Sequence, residues 1–268
     1  MKLSFPATKR RVEIVRRMAV NGEAGSMDRV MTLPYRAEDQ VAAPTCRSGF
    51  AFEDVIDRIC AMPWERLSGD EILRVAKAYY FFSVQFRENL ELACGLRPRD
   101  TKLQALHRGE CATDNLSPYP GVAIAGEKLD HDEFMRRLLA LQPVDTDGVI
   151  EGIGNAYLDA VRALRPAARA VSIASYEDGG LSRVFSAMLR APEWRGAGQE
   201  AFRFFLEEHI RFDSDDAGGH ASLSRHLIPN DDILPLWTAF AELLTAAAPR
   251  LGFAAASEIQ QGAACRAA

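Results

Sequence analysis

The chain has 268 residues, 48% of them hydrophobic, and a formal net charge of -5, so it can bury a substantial core and has no basic footprint for nucleic acid or an anionic membrane surface. Its five cysteines, Cys46, Cys60, Cys94, Cys111 and Cys265, include no C-x-x-C pair, which argues against a disulfide framework or a zinc knuckle and fits a reducing cytoplasm. The basic residues from Lys9 to Arg17 are followed by no uninterrupted apolar segment, so neither a secretory signal nor a membrane anchor is expected.

Residues 1–50 have weak periodicity and turn signals at Asn21-Gly22, Pro34 and Pro44, and read as a partly irregular arm with one short basic helix from Arg10 to Val20. Phe52 to Met62 predicts a helix stopped by Pro63. Ser68 then offers an N-cap, with first-turn acids at Asp70 and Glu71 and apolar residues three and four apart from Ile72 to Leu90. This is a long amphipathic helix ending near Gly95, with an aromatic load (Tyr79, Tyr80, Phe81, Phe82, Phe86) that suits a core.

Further helices are predicted over Lys102 to Cys111, from Asp130 to Pro143, from Asp147 to Leu164, from Pro166 through Glu177 to Leu189, from Gln199 onward, and from Asp231 to Ala248. A polar Pro/Gly stretch, Asn115 to Gly126, interrupts them. With no hairpin signal and no repeat, the fold class is all-α, a bundle of about seven to nine helices over residues 51–250 followed by a tail at 251–268.

The densest chemistry lies between Glu207 and His220, which holds two of the five histidines together with Asp213, Asp215 and Asp216. At about 100° per residue, His209, Asp213, Asp216 and His220 would share one face of a straight helix. Three more positions sit in apolar settings: Glu110 after Leu103 and Leu106, His131 before Phe134 and Leu138, and Glu177 after the small-residue run Ala170 to Ser175. A charged carboxylate in such a run costs several kcal/mol unless a cation or hydrogen-bond shell compensates it. Three carboxylates and three imidazoles, Glu110, His131, Glu177, His209, Asp213 and His220, form the donor inventory of a dinuclear iron or manganese site in a helical bundle.

Over most of the chain, Phe52 to Ala248, this order of features resembles the haem-oxygenase-like diiron oxidases and oxygenases. Asp130-His131-Asp132-Glu133-Phe134 is similar to that family's His-Pro-Glu-Leu/Phe run, Glu110 and Glu177 stand for its first and middle Glu, and His209-x3-Asp213 matches its late motif. The resemblance implies a haem-oxygenase-like bundle and two Fe ions cycling between Fe(II) and Fe(III), with Glu177 as candidate bridge. It implies O2 as co-substrate and oxidation of a small organic molecule, commonly an amino acid or a fatty acid, by desaturation, cyclisation, N-oxygenation or C–C cleavage, often in natural-product biosynthesis. Arg87 and Arg183 incline the reading to an amino-acid-like substrate.

A fatty-acid-type substrate, a haem-binding relative and a non-catalytic helical binding protein are the alternatives. An external electron donor and a homodimer are also open. Two departures from the pattern leave choices among ligands. The Asn115 to Gly126 insertion separates Glu110 from His131, so Glu88 or Glu91 could substitute for Glu110. Asp216 occupies the expected last-His position, and a straight helix would set His209 and His220 about 16 Å apart, so His220 requires a break near Gly218-Gly219. Arg87 and Arg183 are the candidates for a substrate carboxylate, because an Arg fork matches it in two hydrogen bonds. His107, His226 and Cys111 read as bystanders.

Overall fold

A 28-residue helix, α2 (Gly69–Leu96), is the column against which most of the other helices pack. It begins as the sequence predicts: the Ser68 side chain accepts from Glu71 N while Glu71 reaches back to Ser68 N, a capping box that satisfies two donors left open at the helix start. The computed structural model describes residues 50–144, 147–213 and 219–252, without the Asp213 side chain. The predicted arm up to residue 49, its basic helix, Asp216 and the tail beyond residue 252 lie outside the described residues.

Around α2 stand α1 (Ala51–Cys60), α3 (Thr101–Glu110), α4 (His131–Leu141), α5 (Val149–Arg162), α6 (Pro166–Ser175), α7 (Leu181–Met188), α8 (Ala197–Asp213), α9 (His220–Ser224) and α10 (Leu234–Ala247). Taking the kinked run from α6 to α7 as one helix gives nine among the described residues, the all-α bundle expected. None of them is long and apolar enough to cross a membrane.

The helices are held by an aromatic core. The Tyr79 ring lies 5.3 to 5.5 Å from Phe82, Phe185 and Phe205, and Tyr176 packs on Phe82 and Trp237 at 5.1 Å, within the favourable range for edge-to-face and tilted pairs.

Two segments depart from the predicted regularity. The helix expected from Pro166 to Leu189 is broken at Tyr176–Gly180 by a single π-type turn, where Asp178 has non-helical angles and Gly179 a φ of +91°. A Cβ on Gly180 would meet Ser175 O at 2.1 Å, so the turn needs glycine at both places. The stretch between α3 and α4 is the second. Its ends are pinned by Thr113 and Leu129, which exchange backbone hydrogen bonds of 3.0 and 2.9 Å, and by Asp130 Oδ1 accepting from Ala112 N at 2.8 Å.

Candidate metal centre

Each side chain of the centre reaches the interior because it occupies a core-facing position of its own element. Glu110 follows Leu103 and Leu106 at helical spacing on α3, a helix capped by Asp100, and only 5% of it is exposed. His131 opens α4 three and seven residues before the buried Phe134 and Leu138. His209 follows Phe202 and Phe205 on the same stripe of α8. Glu177 sits on the π-type turn that follows α6, with its side chain buried.

His220 arrives from a separate element. Helix α8 ends at Asp213, and His220 is the first residue of α9, preceded by Gly219 in extended conformation. His209 and His220 therefore do not share one straight helix. Gly109 admits the imidazole, since a Cβ there would lie 3.1 Å from His220 Nε2.

Five of the six proposed ligands converge. His131 Nδ1 stands 2.7 Å from Glu110 Oε2, and His209 Nε2 stands 3.1 Å from His131 Nδ1. On the other side His220 Nδ1 is 2.7 Å from Glu110 Oε1 and 3.4 Å from Glu177 Oε2. These atoms form two groups that could each hold a metal ion, Glu110–His131–His209 and Glu110–Glu177–His220. The carboxylate common to both is Glu110, not the Glu177 expected as bridge. Asp213 is the last residue of α8, and its side chain lies outside the described residues.

Glu110 Oε1 and Glu177 Oε2 are fully buried with His220 Nδ1 set against both, at 2.7 and 3.4 Å, so a single N–H is shared between two carboxylate oxygens. A buried charged oxygen left in this condition costs several kcal/mol. The donor set, carboxylate and imidazole atoms converging on a shared point, is one that a divalent cation satisfies.

The electrostatics are strongly polarised. Burial alone would raise Glu110, but His131 and His220 outweigh it and hold the carboxyl well below the usual range. Burial raises Glu177, and although His220 opposes this, the Glu110 charge adds to the rise. His209 is pushed down to about 3 by burial and by His131. Its Nδ1 lies 2.7 Å from Phe205 O, a carbonyl that can only accept, so Nδ1 carries the proton and Nε2 turns a lone pair to the centre. Burial opposes protonation of His220 as well, yet Glu110 and Glu177 lift it to about 11.

A cavity of about 390 Å3, its open mouth included, reaches the cluster and is walled by Tyr79, Phe86, Leu181 and Phe205. Arg87 lies at this cavity with Asp132, which accepts from its Nε at 3.1 Å, while Glu91 accepts from Nη1 at 3.0 Å. Arg183 lies apart, paired with Glu53 and Asp57 of α1 on the surface. The substitutes for Glu110 are also engaged elsewhere, Glu88 with Arg162 and Glu91 with Arg87.

His226 pairs with Asp100. Cys111 lines the cavity, but burial, with Asp130 and Glu110 beside it, pushes the thiol up to about 12, so it stays protonated. Two participants had no individual signal in the sequence. Tyr79 reads only as an aromatic core position, and Asn115, which touches His131, reads only as part of a polar loop. Comparison with family models, with curated proteins and with solved structures finds no match to this chain.

Proposed function

We propose that the protein is a non-haem diiron oxidase or oxygenase that uses O2 to oxidise a small amino-acid-like substrate. The observation that carries this is the pair of donor groups sharing Glu110, buried and rich in both carboxylate and imidazole. Oxygen-only ligand sets suit calcium and magnesium, whereas this mixture suits iron or manganese. Two bound irons would supply the redox chemistry that activates O2 against a substrate bond.

The chain's own contributions follow from position. Glu110 offers one oxygen to each group, His131 and His209 complete the first, and Glu177 and His220 the second, with Asp213 the remaining candidate donor. Tyr79, Phe86, Leu181 and Phe205 keep the cavity apolar and limit competing water. Arg87 at the cavity is the group for a substrate carboxylate, with Asp132 beside it for an ammonium. Haem suits the site poorly, because Glu110 and Glu177 would set buried negative charge against a porphyrin face.

Desaturation, cyclisation, N-oxygenation and C–C cleavage all remain within this proposal, as does a place in natural-product biosynthesis. An external electron donor belongs to it wherever the substrate does not itself supply the electrons O2 takes up. The test is O2 consumption by protein reconstituted anaerobically with Fe(II), across a panel of amino acids. One class of amino acid should stimulate uptake in the wild type, and His209→Ala and Glu177→Ala should lose both the stimulation and iron. Full iron content in both variants would show the proposal to be wrong.

A further inference from the structure

We infer that Asn115, in the loop between α3 and α4, is a positioning residue that makes His131 bind metal through Nδ1. The inference rests on the metal-centre proposal above, but its evidence is local. Asn115 Nδ2 donates to Gly109 O at 3.2 Å, and Asn115 Oδ1 faces His131 Nε2 at 3.2 Å. Gly109 O can only accept, so the amide NH2 must be the end that faces it, which leaves the amide oxygen facing the imidazole. An amide oxygen also only accepts. His131 Nε2 must therefore carry a proton, and in the neutral ring Nδ1 is the atom with the lone pair.

Nδ1 is turned into the centre, 2.7 Å from Glu110 Oε2, which accepts from it, and 3.1 Å from His209 Nε2. A cation bound there takes the place of the Nδ1 proton and leaves the Nε2 proton with Asn115. His209 is locked in the opposite sense, with its proton on Nδ1 held by Phe205 O. A cation at this point would be held by Glu110 Oε2, His131 Nδ1 and His209 Nε2 together. The two imidazoles of the first group would ligate through different ring nitrogens, each oriented by one acceptor.

The same amide joins the two ends of the loop to the centre. It ties the carbonyl of Gly109, the residue before Glu110, to the ring of His131, so one side chain holds both ligands in register. The segment that separates Glu110 from His131 in sequence is in this sense part of the centre. Its ends are closed by the Thr113–Leu129 bridge, and Asn115 is held within it by its N–H donating to Thr113 Oγ1 at 3.3 Å.

The test compares Asn115→Leu, which removes the acceptor, with Asn115→Asp, which keeps an acceptor oxygen toward His131. Zn(II), a diamagnetic probe, is titrated into each metal-free protein, and the histidine ring nitrogens are followed by 15N NMR in the loaded state. Loss of an outer partner to a ligating histidine typically weakens metal binding by about 10- to 100-fold. Asn115→Leu should show a loss in that range and Asn115→Asp should recover most of it. In the loaded wild type His131 should show a protonated Nε2 and a metal-shifted Nδ1, with His209 the reverse.

Equal Zn(II) affinity in all three proteins, or a metal-shifted His131 Nε2 in the wild type, overturns the inference while leaving the metal centre intact. Should Asn115→Leu fail to fold, the wild-type ring assignment alone decides. If the wild type binds neither Zn(II) nor Fe(II), the metal proposal falls. The proton on His131 Nε2, read in the metal-free protein, then shows separately whether Asn115 orients the ring.

Discussion

The two sides of Glu110 are built differently. On one side His131 and His209 stand on α4 and α8, and each ring is oriented by a second hydrogen bond, to Asn115 and to the Phe205 carbonyl. On the other, Glu177 is presented by a single π-type turn and His220 by the first residue of a five-residue helix. The first side has its donor atoms aimed before any ion arrives. The second holds a proton on His220 in the place an ion would take, balancing the Glu110 and Glu177 charges. Preorganisation on long helices gives affinity, whereas short, strained elements give a side that assembles with its ion.

The sharpest way to break this comparison is through the carboxylate both sides share. Glu110→Ala should abolish tight binding of both ions, with each affinity falling by more than about 100-fold, as expected when a ligand rather than an outer partner is lost. Equilibrium dialysis with Fe(II) under anaerobic conditions reads this directly. His220→Ala should act on one side alone. The second ion should be lost while the first keeps its affinity within a few-fold, and an equal loss of both would erase the distinction drawn here.

A pH titration sharpens it further. Metal binds the neutral imidazole, and His220 keeps its proton in the metal-free fold until about pH 11, so binding of the second ion must release that proton. Its affinity should rise about tenfold per pH unit between roughly pH 7 and 9. His209, already neutral above about pH 3, contributes no such slope to the first ion. Isothermal titration in buffers of different ionisation enthalpy gives the proton count for each step. The smallest effect should come from Gly109→Ala, whose Cβ would crowd His220 Nε2 at 3.1 Å. Overpacking of about 1 kcal/mol, roughly fivefold, should fall on the second ion and leave the first unchanged.

The parts of this arrangement differ in how far the sequence displays them. The Ser68 capping box, the apolar spacing that runs through Glu110, His131 and His209, and the all-α class are local patterns and can be read directly. The break before His220 announces itself in Gly218-Gly219, because paired glycines are costly inside a helix. The π-type turn at Tyr176–Gly180 carries the same signal in Gly179-Gly180, but Pro166 to Leu189 keeps helical spacing on both sides of it and so reads as one helix.

The sharing of Glu110 in place of Glu177 depends on where α3 meets α9, which no single segment encodes. The loop between α3 and α4 reads as a spacer because its pairing is two isolated bridges without strand periodicity. Only its closure brings Glu110 and His131 together. Arg183 looked equivalent to Arg87 in sequence, and only packing shows that α1 claims it.

The most direct measurement is an anaerobic Fe(II) titration of the metal-free protein with iron quantified at saturation. Two ions per chain in the wild type, one in His220→Ala and none in Glu110→Ala is the result that two donor groups sharing Glu110 predict. No bound iron in the wild type, or two ions retained without Glu110, would contradict it.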